Sequence, residues 1–297
     1  MKIIAFFNNK GGVGTTTLAY HMGWMLSDLN CRVVMADLDP QANLSSMFLD
    51  EDRLDELWPT GKHPCTIQGV LEPIIRGIGD IGQPHLEEIS DQIGLIVGDL
   101  GLSTFEDRLS ESWPKCHNRD EAAFRVMTAF YRAMLRAAND WKAEYVLVDV
   151  GPNLGAINRS ALIAADHVIV TLASDLFSLQ GLRTLGPQLR DWRAAWQELR
   201  LKSPDDELPL PAGKIAPLGY VLRQDRPMRW MNRIPGEYRE SVLGESPEGA
   251  PTVEQDPHCL ASLKHYRSLM PMYGSAQTDV SPTSRRRRYW GTCSSRP

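Results

Sequence analysis

Apolar residues fall along this chain in short unbroken runs separated by longer stretches with helical spacing. Runs at 3–7, 32–36, 145–148 and 167–172 are apolar without alternation, the pattern of parallel strands covered on both faces. Shorter runs at 93–97 and 218–222 predict a fifth and a sixth strand. Residues 16–29, 121–138 and 179–199 carry helical patterns between them. Strands alternating with amphipathic helices predict a three-layer α/β fold, with a mainly parallel central sheet flanked by helices.

Two stretches break this rhythm. Residues 50–92 contain Pro59, Pro64, Pro73, Pro84 and several glycines, and read as an irregular insertion with short helices rather than a separate domain. A proline-rich, charged break at 203–213 reads as a surface loop before the next strand. One domain is therefore expected over 1–275. Residues 276–297, rich in Ser, Thr, Arg and Pro with four arginines at 285–288, are expected to be a disordered basic tail.

Charge and cysteine usage narrow the setting. A net charge of −5 argues against wholesale coating of nucleic acid, so any DNA contact needs a local basic face. The five cysteines show no metal-ligand spacing and read as free thiols in a reducing compartment. The chain starts directly on a core-type strand, so no signal peptide is expected. No apolar run approaches the roughly 20 residues needed to span a membrane. A cytoplasmic protein is expected.

The chemistry concentrates in three places. Lys10-Gly11-Gly12-Val13-Gly14-Thr15-Thr16-Thr17 lies between a predicted strand and a predicted helix. Its glycines let the backbone wrap phosphate oxygens without Cβ clashes, and the helix start favours an anion. Thr16 sits where a hydroxyl would ligate Mg²⁺, and Thr17 can add a phosphate contact. Asp37-Leu38-Asp39-Pro40 follows the second strand, and such strand ends form the ligand crevice of open α/β sheets. Two carboxylates there suit a metal-bound water. Asp149 ends the strand at 145–148, where an acid supports a Mg²⁺ shell.

Taken with Asp37-Leu38-Asp39-Pro40-Gln41-Ala42-Asn43, Val97-Gly98-Asp99-Leu100 and the run from Val168 to Leu182, this combination resembles the ParA/MinD group of deviant-Walker P-loop ATPases. The resemblance extends over roughly 1–275 and is densest before 185. It implies ATP and Mg²⁺ as cofactors. It implies that Lys10 reaches a partner subunit's phosphates in an ATP-bound homodimer, and that Asp39 positions the attacking water. By the same resemblance, Thr16, Asp37 and Asp149 serve the metal. A ParA-type protein binds DNA nonspecifically when ATP-bound, is triggered by a ParB-like partner, and distributes plasmid, chromosome or other cargo over the nucleoid. The alternatives are a non-catalytic nucleotide-binding scaffold and a MinD-like membrane-associated ATPase; the polar tail does not resemble a membrane-targeting helix.

Two departures qualify the resemblance. Thr15 stands where a P-loop has its lysine. A neutral hydroxyl in place of a charge-assisted contact weakens phosphate binding on the order of ten- to a hundredfold, so slow or absent hydrolysis is expected. Towards the end of the chain, Lys264–Met270 begins in the style of the amphipathic helix usual in the family and then gives way to the polar, arginine-rich tail. Basic residues that track DNA phosphates are sought in Arg223, Arg226, Arg229 and Arg233, at three- to four-residue spacing, and in Lys264 and Arg267. Trp192 and Trp196, one helical turn apart, are expected to pack in the core.

Overall fold

The computed structural model describes residues 1–173 and 176–223. A seven-stranded sheet forms its centre, in the order β3-β4-β2-β5-β1-β6-β7. The strands are β1 (Lys2–Phe7), β2 (Val33–Asp37), β3 (Glu87–Ser90), β4 (Ile93–Ile96), β5 (Tyr145–Asp149), β6 (His167–Ala173) and β7 (Ala216–Arg223). All pairings are parallel except β3 with β4. The six predicted strands are present within a residue or two of their expected ends. The seventh, β3, is a polar edge strand without a buried residue, so its sequence carries no apolar run to reveal it.

The inner parallel strands β1, β2, β4, β5 and β6 bury both faces. Ile3, Ala5 and Phe7 belong to one large apolar core, which they share with α4 (Ile67–Ile75), α5 (Phe105–Cys116), α6 (Glu121–Met127), α7 (Ala129–Trp141), α8 (Ala156–Ala164) and α9 (Leu176–Arg200). On the opposite face lies α1 (Thr15–Asp28). Gly23 lets α1 settle onto the sheet, because a Cβ there would stand 2.7 Å from the Met35 sulfur. Trp192 and Trp196 are buried, and the Trp196 Nε1 donates to the Pro211 carbonyl at 3.0 Å. That contact ties the 203–213 loop to α9.

The helix expected over 121–138 is two helices, α6 and α7, meeting at Thr128. There the hydroxyl donates to the Phe124 carbonyl and accepts from Arg132 Nε, a local alternative to straight helical bonding. The insertion at 50–92 carries α3 (Glu51–Leu57) and α4 as well as β3, following the short α2 (Asn43–Phe48). It is strapped to the sheet: Trp58 Nε1 donates to the Gly98 carbonyl, and His63 and the Thr66 hydroxyl bond the buried Asp99 carboxylate.

Cys31 and Cys116 are free thiols as read. Among the described residues no helix is long and apolar enough to cross a membrane. The expected end of the domain near 275, the tail at 276–297, and Arg226, Arg229, Arg233, Lys264 and Arg267 lie outside the described residues. Arg223 is the last residue of β7.

Candidate nucleotide site

The three sequence constellations converge because β5 is inserted between β1 and β2. The carboxyl ends of these three strands lie side by side, which is where open α/β sheets bind ligands. In register, Asp37 of β2 faces Asp149 of β5, and Asp149 faces Phe6 of β1. The loop at 8–14 leaves β1 directly beside them.

That loop is shaped by its glycines. Gly12 and Gly14 have φ of 74° and 84°, left-handed values that cost a side-chain-bearing residue. Gly14 is also the N-cap of α1 and offers no side chain, and no acid lies in the first turn. The first N–H groups of α1 therefore keep their capacity for an anion. Val13 turns inward and is buried, while Gly11, Gly12 and Thr17 are exposed. Lys10 is half-buried, and its backbone N–H donates to Asn8 Oδ1 at 3.0 Å. Thr16 is half-buried at the opening of α1. Thr15 points towards β6, with its hydroxyl 2.7 Å from that of Thr171.

Asp37 is fully buried but well supplied with donors. Its Oδ2 accepts from the Ser45 N–H at 2.7 Å and the Ser45 hydroxyl at 2.8 Å, and its Oδ1 accepts from the Asp39 N–H at 3.3 Å. Ser45 in turn accepts from the Gly98 N–H at 2.8 Å. Burial raises the Asp37 carboxyl to about 7; the Ser45 bonds counteract the rise and the neighbouring Asp39 adds to it. Asp39 is held by the Gln41 N–H on Oδ1 at 3.0 Å and is likewise pushed up by burial.

Asp149 is the outlier. It is fully buried, and both its oxygens lack a hydrogen-bond partner. Burial first, and then the adjacent Asp37, push its carboxyl well up, while the Thr16 hydroxyl beside it acts in the opposite direction. An unpartnered buried carboxyl flanked by two more acids is costly on its own terms, and it is a setting that a divalent cation relieves. Among the described residues no three His, Cys, Asp or Glu side chains form a complete metal cluster. A Mg²⁺ ion does not need one, since it keeps waters and takes only one or two protein ligands beside phosphate oxygens. Thr16 and Asp149, with Asp37 behind them, fit that requirement.

Two glycines without a chemical role of their own shape the acids. A Cβ on Gly98 would stand 2.7 Å from the Asp37 Cγ, and one on Gly151 would stand 3.0 Å from Asp39 Oδ1. Gly98→Ala is expected to displace Asp37 and cost about 1–3 kcal/mol by overpacking, measurable by chemical denaturation; wild-type stability would show that the turn yields. Neither motif nor spacing assigns chemistry to Ser45, Gly98, Gly151, Asn8 or Thr171, although Gly98 and Thr171 lie in segments that carry the resemblance. Asn8, Gly98 and Gly151 share one signal, a small or polar residue directly after an apolar run.

The titration of Asp37 has a definite sign. At pH below about 4 both the folded and unfolded carboxyl hold a proton. Between there and about 7 only the folded one does, so stability falls as pH rises, and above about 7 the loss is complete. Relative to Asp37→Asn, the metal-free wild type is expected to lose on the order of 4 kcal/mol across that window. Denaturation of both proteins at pH 4 and pH 8 tests this, and a pH-independent difference would overturn it.

Fold and site together define a P-loop nucleotide-binding protein of the three-layer α/β type. A family model described as an AAA domain (AAA_31) matches residues 1–200. The chain belongs to that family, in its ParA-type group. It is 32% identical over 187 residues to a ParA family protein of Chlamydia pneumoniae, covering 62% of this chain and 64% of that protein. It is 27% identical over 185 residues to the chromosome partitioning protein ParA of Caulobacter vibrioides, covering 62% and 61% respectively. Against these relatives the chain thus spans somewhat under two thirds of their length. Protein DIP2308 from Corynebacterium diphtheriae shares the fold, with a TM-score of 0.74 and 24% identity over 91% of this chain and 100% of that one.

Proposed function

We propose that this chain is an ATP-dependent switch of the ParA type, which pairs with a second copy when ATP-bound, holds double-stranded DNA nonspecifically, and positions plasmid, chromosome or other cargo under the control of a ParB-like partner. The observation that carries the reading is the meeting of the glycine loop, Asp39 and the unpartnered Asp149 at the carboxyl ends of the central strands β1, β2 and β5. The ParA-type relatives support the cargo role.

In this reading the N–H groups of Gly11, Gly12 and Gly14 and the start of α1 bind the ATP phosphates. Lys10 adds positive charge towards a partner's nucleotide. Thr16, Asp149 and Asp37 hold Mg²⁺, which supplies charge neutralisation against the phosphate oxygens when bound. Asp39, fixed by the Gln41 N–H, accepts a hydrogen bond from water and aims it at the terminal phosphate. Turnover is slow because position 15 carries no charge. DNA is held through Arg223, Arg226, Arg229, Arg233, Lys264 and Arg267. The protein works in the cytoplasm, on the nucleoid.

Sedimentation with and without ATP and Mg²⁺, in the presence and absence of DNA, tests the switch. A dimer that forms only with ATP and then retains DNA is the expected result. A monomer indifferent to ATP overturns it in favour of a scaffold, and binding to anionic liposomes would point to a membrane role instead.

A further inference from the structure

The threonine that replaces the P-loop lysine has a specific partner. Its hydroxyl lies 2.7 Å from that of Thr171 on β6, a polar residue 2% exposed inside an otherwise apolar strand end. Each hydroxyl has one proton to give, and their mutual bond uses one of the two. Burial decides which. Thr171 is enclosed, with Thr15 as its hydroxyl partner among the described residues, and an enclosed donor left unused is costly. Its proton therefore goes to Thr15. Thr15 is half-buried at the loop and keeps its own proton for an acceptor on the solvent side.

We infer that Thr171 and Thr15 form a two-hydroxyl relay, in which Thr171 donates to Thr15 and Thr15 donates to a phosphate oxygen of the bound nucleotide. The relay occupies the position of the missing lysine and deepens the proposed function, on which it rests. A hydroxyl that accepts one hydrogen bond becomes a better donor in the next, so the pair restores part of what one isolated threonine lacks. Thr171 is a positioning residue here; Thr15 is the group that meets the ligand. A second contact fixes the pair against the loop. Asn8 Nδ2 donates to the Thr171 carbonyl, while Asn8 Oδ1 accepts the Lys10 N–H. This tether uses the backbone of Thr171, so it survives removal of the hydroxyl.

Thr171→Val keeps the shape of the side chain and the Asn8 tether, and removes only the hydroxyl. Titration calorimetry with MgATP is expected to show affinity about five- to tenfold below wild type, with the nucleotide-free melting temperature little changed. Thr171→Ser is expected to restore binding. Thr15→Val should lose at least as much, and the double variant no more than Thr15→Val alone, because Thr171 acts only through the Thr15 hydroxyl. Should Thr171→Val fail to fold, Thr15→Val with recovery in Thr15→Ser carries the test from the half-buried side. Unchanged affinity in the valine variants, or losses that add in the double, overturns the relay while leaving the nucleotide switch intact. A folded wild type that does not bind MgATP overturns the proposed function, and the relay with it.

Discussion

Asp149→Asn is expected to make the nucleotide-free protein more stable and to remove its response to Mg²⁺. The wild-type carboxyl is fully buried, unpartnered, and faces Asp37 in register. Folding must either bury its charge or supply it with a proton, and both cost free energy that an amide avoids. The amide is still a buried polar group without partners, so the net gain is on the order of 1–3 kcal/mol. The same change deletes a buried carboxyl with both oxygens uncommitted, and MgATP affinity is expected to fall more than about tenfold. Thermal melts without nucleotide, paired with MgATP titrations, read both effects. A destabilised variant that still responds to Mg²⁺ would show that Asp149 is a structural acid. The opposition between the two effects is the signature of a site whose strain a ligand relieves.

Asp39→Asn is expected to separate binding from turnover. Its Oδ1 accepts the Gln41 N–H and its own N–H donates to Asp37; asparagine keeps the first bond and does not touch the second. Fold and MgATP affinity should stay within a few-fold of wild type. The amide is a weak base and mis-aims water, so hydrolysis should drop about 10²- to 10⁴-fold. A sensitive phosphate-release assay, needed because slow wild-type turnover is expected, decides the matter. Equal rates in variant and wild type would place the water elsewhere.

Much of the fold is legible in the chain because its strands are covered on both faces. Burial on two sides demands continuous apolar runs, and those runs mark β1, β2, β4, β5 and β6; β7 carries a similar run although it lies at the sheet edge with Tyr220 exposed. The edge strand β3 pairs through its backbone with polar side chains and leaves no such mark. Helices α5 and α8 leave no clear periodic mark either: α5 is dominated by polar residues, and α8 starts after the loop that follows Asp149. The split at Thr128 turns on a side-chain bond to the backbone, which periodicity does not register.

The site divides along the same line. Local sequence determined the glycine loop, because positive φ at Gly12 and Gly14 is a property of single residues, and it determined that acids end two apolar strands. Only the tertiary structure decided that Asp37 and Asp149 stand in register and that Asp149 is left without a donor while Ser45 and Gly98 secure Asp37. Only the tertiary structure set Thr15 against Thr171, a residue 156 positions away. The physical reason is range: backbone conformation is fixed by neighbours along the chain, whereas hydrogen-bond satisfaction and burial depend on which strands the crossovers lay side by side.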